Sequence, residues 1–321
     1  MDNDYNIKFS KAISNVKDLT GQHVAYCRYP VPFSHQVILF RFDGGHFIDQ
    51  KMHYDTFHIN LFQLDSNEPI DITYRLEKSR IFFNFILHGA IDFTTEEHER
   101  ITQVSACTFY LSYEQPGSYQ AKCNKGETDA IIISVLSGWA SSIVDNYPIL
   151  YEAINQLSKS KKRFEVLPHC RIDDTVKELL FGILAHNHSN KRMQDLLLSF
   201  HIGQALIYYE RLLLTTTMGK MYQIKQYIEK HILNPEIDIK SFAAMVSLSQ
   251  QTVTRRFKEI YGLSIRSFYH LSRMQYVELL IEDENMSIKE ASRLIGYADE
   301  NDFRKAYKKF LLNKKNQIHR S

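Results

Sequence analysis

Two copies of one helical pattern, about fifty residues apart near the C-terminus, constrain this chain most strongly. The first copy covers residues 239–258 and the second covers residues 287–308. Each reads as a short helix, a tight turn and a second helix whose outer face is polar and basic, which is how a DNA-binding helix-turn-helix unit is built. One match would be a weak signal. Two in tandem predict an all-α domain with two such units.

In the second helix of each unit, one apolar stripe must pack on the first helix while the opposite face stays free. The stripes recur at helical spacing: Val253, Phe257 and Ile260 in the first unit, and Phe303, Ala306 and Phe310 in the second. We also expect an N-cap just before each of these helices, at Ser249 and Asp299, so that each helix begins abruptly at its turn.

The outer faces of the same helices carry the candidate DNA-binding residues. Arginine, lysine, glutamine, asparagine and threonine can hydrogen bond to base edges or bind phosphate. The candidates are Gln250, Gln251, Thr254, Arg255 and Lys258 in the first unit and Asn301, Arg304, Lys305 and Lys308 in the second.

Residues Ser264 to Glu282 join the two units and predict one connecting helix, with Phe268, Leu271, Met274 and Leu279 at helical spacing. About 19 residues at roughly 1.5 Å each span about 28 Å. That length is close to the ~34 Å between successive major-groove faces on one side of B-DNA. The spacing therefore favours one domain that contacts two grooves.

Three further motifs accompany the two units: Gly262-Leu263-Ser264, Arg273 in the connecting helix, and Ile295-Gly296-Tyr297 at the second turn. With them, residues 222–310 resemble the C-terminal DNA-binding domain of the AraC/XylS family of bacterial transcription regulators. Ser247 stands where that family usually has glycine. By position, the resemblance implies base-edge contacts for Gln251, Thr254, Arg255, Asn301, Arg304 and Lys305.

The resemblance also implies what the whole protein does. It implies a transcription regulator, an activator rather than a repressor, that binds promoter or operator DNA. A homodimer is expected on a separate ground, because a second pair of DNA-binding units would raise the affinity for DNA through effective concentration. RNA polymerase and a small-molecule effector are the other expected partners. No cofactor, catalytic residue or metal site is expected.

The length of 321 residues predicts more than one domain. Residues 219–321 hold 18 Lys and Arg against 12 Asp and Glu, a balance of 18 − 12 = +6, so positive charge is concentrated where phosphate would be met. We expect a β-rich sensing domain over 1–137, a helical connector and candidate dimerisation region over 138–217, and the DNA-binding domain over 218–321.

The N-terminal part is rich in short β-branched and aromatic runs separated by glycine-containing turns, which predicts a β-barrel or sandwich. The resemblance to AraC/XylS regulators implies that this barrel is a cupin-like sensing domain. The overall fold class is therefore α+β. The runs are residues 37–40, 57–62, 70–74, 81–87, 108–111 and 130–135. A small barrel with a mouth is suited to hold the effector.

Helical patterns follow over Trp139–Ser158, Asp173–His186 and Lys191–Thr217. The last has a broad apolar stripe, which could pack on its own barrel, on a second subunit or on the DNA-binding domain. The stripe consists of Leu196, Leu197, Phe200, Ile202, Ala205, Leu206, Tyr209 and Leu213.

The alternative function is a cupin-type metal-dependent enzyme fused to a DNA-binding module. Metal cupins place histidines and a carboxylate on facing strands, but the spacing of His46, His53 and His58 lacks the compact His-x-His pattern. The four cysteines form no Cys-x-x-Cys pair, so a thiolate zinc site is not expected. The chain also lacks a long apolar run or a signal peptide, which predicts a cytoplasmic protein with no membrane partner.

Overall fold

The structure is a computed structural model. It describes residues 5–22, 27–54, 57–135, 149–151, 163–185, 190–234, 237–282, 286–297 and 299–318. The chain divides into two compact units, Met1–Leu213 and Leu214–Ser321, each of which is described by itself.

The first unit contains two antiparallel sheets. The strands are β1 (Tyr5–Phe9), β2 (Ile13–Asp18), β3 (Gln36–Phe42), β4 (Gly45–His53), β5 (Phe57–Ser66), β6 (Ile70–Leu76), β7 (Arg80–His88), β8 (Ala90–Thr95), β9 (Arg100–Ser105), β10 (Thr108–Glu114), β11 (Gly117–Cys123), β12 (Gly126–Val135), β13 (Phe164–Val166) and β14 (Cys170–Arg171). The first sheet has the order β1-β6-β11-β8-β9, and the second has the order β13-β10-β7-β12-β5-β4-β3-β2 with β14 beside β10. All six predicted strand runs lie within these strands, so the β-rich prediction is confirmed.

The inner faces of the two sheets share one core. Ile72, Ile91 and Ala121 of the first sheet pack with Phe47 and Leu64 of the second. Because side chains alternate between the two faces of a strand, each strand contributes every second residue to this core. The core between the sheets is therefore lined by side chains from both sheets.

After β14, the described residues of the first unit form the helices α1 (Asp174–Ala185) and α2 (Lys191–Leu213). Tyr209 of α2 is fully buried, and its ring centroid lies 5.8 Å from that of Phe83 and 5.5 Å from that of Phe109. Its hydroxyl also donates a hydrogen bond to the carbonyl oxygen of Pro168 at 2.8 Å. Helix α2 therefore packs on the second sheet of its own unit.

This packing divides the predicted stripe of α2 into two faces. Ile202, Ala205, Leu206, Tyr209 and Leu213 are buried, whereas Leu196 and Phe200 are each 60% exposed. The stripe spans more of the helix circumference than one packing surface can cover. The predicted helix over 139–158 lies almost entirely outside the described residues.

The regular secondary structure described in the second unit is all helical. Its helices are α3 (Thr217–Lys230), α4 (Ile239–Met245), α5 (Gln250–Tyr261), α6 (Ile265–Glu282), α7 (Ile288–Leu294) and α8 (Glu300–Ile318). The α+β prediction, with a β-rich part followed by a helical domain, is confirmed. No described helix is both long and apolar enough to cross a membrane.

Candidate DNA-binding site

The first helix-turn-helix unit consists of α4, a turn and α5. Asp238 caps α4 by accepting hydrogen bonds from the backbone N–H groups of Lys240 and Ser241, and the Ser249 hydroxyl accepts one from Thr252 N–H at the start of α5. Ser247 in the turn has a φ of 52°, in the left-handed region where glycine is favoured. The predicted cap at Ser249 is confirmed. Ser247, which stands where the family usually has glycine, therefore adopts the left-handed backbone conformation that glycine adopts without strain.

Two aromatic and β-branched side chains hold α5 in place. Val253 and Phe257 are fully buried, and they pack with Phe242 of α4 and with Ile224 and Ile228 of α3. Full burial of such a side chain stabilises the fold by about 1.5 to 3 kcal/mol. The buried stripe leaves the opposite face of α5 in solvent. All five candidates on that face are exposed: Gln250, Gln251, Thr254, Arg255 and Lys258.

The exposed face of α5 is not electrostatically free. The Arg255 guanidinium lies 2.9 Å from one carboxylate oxygen of Glu259, and the Arg256 guanidinium lies 3.0 Å from the other. All three side chains are in solvent, so these pairs are weak and screened by salt. Bound DNA would therefore compete with Glu259 for Arg255 at little cost.

The second unit repeats the arrangement with α7 and α8. The side chains of Ser287 and Glu290 form a reciprocal capping box at the start of α7. At the turn, Gly296 has a φ of 75°, and the carboxylate of Asp299 accepts a hydrogen bond from Asn301 N–H at 2.7 Å. The predicted cap at Asp299 is confirmed, whereas the capping box of α7 was not among the sequence predictions.

Phe303 is a fully buried residue of this helix-turn-helix unit. It packs with Ala291 of α7, with Ile295 at the C-cap of α7, and with the rings of Tyr297 and Tyr307. The outer face of α8 carries the four predicted candidates, and all four are exposed: Asn301, Arg304, Lys305 and Lys308.

Basic side chains on α8 also form ion pairs with neighbouring carboxylates. The guanidinium of Arg304 lies 2.7 Å from the Glu300 carboxylate, and Lys305 Nζ lies 3.1 Å from Asp302. Helix α8 therefore has two carboxylates in its first turn, Glu300 and Asp302, and a third at its N-cap, Asp299, whereas the first turn of α5 has none. The first helix-turn-helix unit therefore has the more favourable electrostatics for contact with phosphates and bases.

The connecting segment forms one helix, α6, of 18 residues, about 27 Å long at roughly 1.5 Å per residue. Its N-terminal half packs into the core of the first helix-turn-helix unit through Ile265 and Tyr269. Its C-terminal half packs into the core of the second helix-turn-helix unit through Met274 and Val277. One rigid element thus belongs to both cores. Leu279, expected on the apolar stripe, is 56% exposed, because residues 273, 277 and 280 occupy the inward phase there.

Each unit therefore has a capped second helix, a buried stripe that fixes its orientation, and a polar, basic face in solvent. A helix presented in this way fits the major groove, whose base edges it can reach. The C-terminal compact unit, Leu214–Ser321, is therefore a double helix-turn-helix domain.

Comparison with known proteins agrees with this class. The family described as "Helix-turn-helix domain" matches residues 242–313. Over 84 residues the chain is 31% identical to the arabinose operon regulatory proteins of Salmonella typhimurium and Escherichia coli, which covers 26% of this chain. A structure of unsaturated fatty acid-bound ToxT from Vibrio cholerae is 13% identical and covers 81% of this chain and 93% of that one, with a TM-score of 0.32.

The C-terminal unit is an AraC-type DNA-binding domain, as the sequence predicted. The chain spans 29–30% of the length of the two arabinose regulatory proteins that it matches.

The histidines considered for a metal site are dispersed in the first unit. His46 Nε2 lies 3.1 Å from the Asp65 carboxylate, and the ring centroids of His53 and His58 are 4.6 Å apart. Burial lowers the pKa of all three rings. Within the described ranges, no group of three or more potential metal ligands is brought together.

A cavity of about 100 Å³ lies between the two sheets of the first unit. It is lined mainly by apolar side chains, with Asn84, Glu114 and Thr128 among the polar groups on its wall. At roughly 10 to 15 Å³ for each water-sized position, it can hold a molecule of roughly seven to ten non-hydrogen atoms. The sequence predicted a ligand container here without indicating which residues would line it.

Proposed function

We propose that this protein is a sequence-specific transcription regulator that binds promoter or operator DNA through the exposed faces of α5 and α8. The observation that carries the proposal is the pair of capped helices, held at the two ends of the single helix α6. A shared rigid helix of about 27 Å supports contact with successive major grooves. The family of its DNA-binding domain supports an activator that acts with RNA polymerase in the cytoplasm, and no enzymatic activity is proposed.

Arginine at position 255 provides the sharpest test of base reading. We expect Arg255→Ala to weaken binding to the preferred site by about 1 to 3 kcal/mol, because a bidentate contact to a base is lost. Arg256→Ala is the matched control, since Arg256 lies on the same helix and pairs with the same Glu259. Its loss should be smaller and equal on all sequences.

The preferred site would be selected from random duplexes, and binding measured by fluorescence anisotropy on that site and on variants changed one base pair at a time. Base reading predicts that Arg255→Ala loses discrimination at one or two positions. An equal loss on every duplex would show that Arg255 binds only phosphate, and the absence of any preferred site would refute the proposal.

The first unit is proposed to sense a small-molecule effector in the cavity between its sheets. Its position between the two sheets and its mainly apolar lining support this role. An effector would regulate the protein by binding one arrangement of the chain more tightly than another. The expected result is a change in affinity for the selected DNA site when the effector is added.

The protein is also proposed to act as a homodimer, through the face of α2 that its own unit leaves uncovered. Met193, Leu196 and Phe200 are 45–60% exposed on that face, and Phe181 of α1 is 71% exposed. We expect Phe200→Glu to shift the sedimentation coefficient of the full chain from dimer to monomer. Leu206 is only 4% exposed, so Leu206→Asp would unfold the β-rich unit and would not report on a dimer interface. A chain that sediments as a monomer without substitution would refute this interface.

A further inference from the structure

One carboxyl group interrupts the apolar wall of the cavity between the sheets. Glu114, the last residue of β10, is only 6% exposed. The Tyr74 hydroxyl donates a hydrogen bond to its Oε2 at 3.1 Å, and Ser112 Oγ lies 3.5 Å from its Oε1. Both partners are neutral. Among the residues that the structure describes, Glu114 forms no ion pair with lysine or arginine.

The charged and titratable groups around Glu114 do not neutralise it. Arg80 lies opposite Glu114 in the register of β7 and β10, but its positive charge acts on His58, whose pKa it helps to lower. Tyr74, Tyr110 and Tyr119 face Glu114 from three strands, and the pKa of each phenol is raised by burial. Burial raises the pKa of Glu114 itself to about 7.

A buried carboxylate without a cation is costly, and its two neutral partners, Tyr74 and Ser112, offset only part of that cost. The cavity beside it is lined by aromatic rings, whose faces attract an ammonium group. These rings are those of Tyr74, Tyr110, Phe47, Phe62, Phe82 and Phe93. The wall therefore combines a negative group with rings that favour a cation and with an apolar volume for the rest of a ligand.

We propose that this cavity binds a small organic amine, with its ammonium group against Glu114 and its apolar body among the phenylalanine rings. The proposal rests on the proposed function, in which the cavity is the effector site, and it names the chemical class of the effector. A carboxylate ligand would be repelled by Glu114. A polyol would need a partner for each hydroxyl, which a wall of mostly apolar residues does not supply.

The binding reaction is linked to the proton of Glu114. A protonated amine pairs with the ionised carboxylate, so binding at neutral pH releases the proton that buried Glu114 partly retains. Affinity for an amine should therefore rise as the pH increases through about 7. Affinity for a neutral molecule of the same shape should change much less over the same range.

The test is isothermal titration calorimetry of the full chain with benzylamine, benzyl alcohol and benzoate, which share one ring and have roughly eight or nine non-hydrogen atoms, as the cavity requires. At pH 8 we expect benzylamine to bind at least about tenfold more tightly than benzyl alcohol, and benzoate to bind least. The amine-to-alcohol ratio should shrink at pH 6. Equal affinities for amine and alcohol at pH 8, tighter binding of benzoate, or no binding of any of the three would overturn the proposal.

Variants locate the preference within the cavity. Glu114→Gln preserves shape and the acceptor for Tyr74, and it should abolish the preference for the amine. Ile91→Val trims the same cavity wall and Glu96→Gln removes an exposed carboxylate, so both should retain it. If Glu114→Gln does not fold, the change of the ratio between pH 6 and pH 8 in the unsubstituted chain decides the question.

DNA binding is measured separately on the selected site without amine. Specific DNA binding without amine preference would refute the inference alone. Amine preference without specific DNA binding would refute the proposed function and leave the amine site standing.

Discussion

The replacement Glu114→Gln is also a sharp test of how the interior of the β-rich unit determines its stability. The carboxyl is buried, and burial raises its pKa from 4.5 to about 7. That change corresponds to about 3 kcal/mol between the ionised and protonated forms. Since the folded pKa is higher than the unfolded one, the unfolded chain gives up its proton first, and the fold is destabilised as pH rises.

The penalty is absent below about pH 4.5 and complete above about pH 7. A glutamine at this position cannot ionise and can still accept the hydrogen bond of Tyr74. We therefore expect Glu114→Gln to raise the free energy of unfolding by up to about 3 kcal/mol at pH 8 and by close to zero at pH 4.5.

Urea unfolding of the full chain, read by pulsed hydrogen–deuterium labelling of peptides from β7 and β10, measures this unit within the intact protein. The labelling pulse is given at one fixed pH, so that only the unfolding step varies. Glu96→Gln is the control and should have a small effect at both pH values, because that carboxylate is exposed. If Glu114→Gln stabilised the unit equally at pH 4.5 and pH 8, ionisation of a buried carboxyl would not be the cause.

Four other substitutions test the packing, the turn and a buried carboxylate. Phe257→Ala and Phe303→Ala each remove a fully buried ring and should cost about 3 to 5 kcal/mol, seen as loss of the thermal transition of a fragment from about residue 220 onward; unchanged melting of both variants would mean that the helix phases are wrong. Ser247→Gly relieves a φ of 52° and should stabilise the same fragment by about 1 kcal/mol or less, measured by urea titration, whereas a loss of stability would show that the serine side chain contributes more than the strain costs. Asp129→Asn removes the carboxylate that lies 2.6 Å from Arg28 and 2.8 Å from His88, and it should destabilise the β-rich unit by about 3 to 5 kcal/mol in the labelling assay; retention of full stability would mean that water replaces the lost partner.

The sequence was sufficient for the DNA-binding domain because its helices are specified locally. A 3.6-residue period identifies which side of α5 and α8 is buried, and a serine or aspartate before the first turn marks where each helix begins. Val253, Phe257 and Phe303 are buried and the nine candidate residues are exposed, as the spacing predicted. Whether those exposed residues read bases remains a prediction.

Side-chain pairing on those faces was not predicted from the sequence. Arg255 and Arg256 converge on Glu259, and Arg304 reaches Glu300, because helical geometry brings residues three and four apart together. The sequence contained that spacing, but several partners were available and side-chain rotamers select among them. The predicted inward position of Leu279 on α6 was wrong for a related reason. Two cores share this helix, and each core determines which side of the helix is buried.

The β-rich unit shows the opposite balance between local and tertiary information. The sequence determined that short strands would form, because β-branched and aromatic runs with glycine turns favour them locally. It could not determine that Glu114 and Tyr74 would meet, since they lie 40 positions apart on strands of different sheets. Only the stacking of the two sheets encloses the cavity and buries that carboxyl, because burial depends on strand order and register, which are long-range properties of the chain.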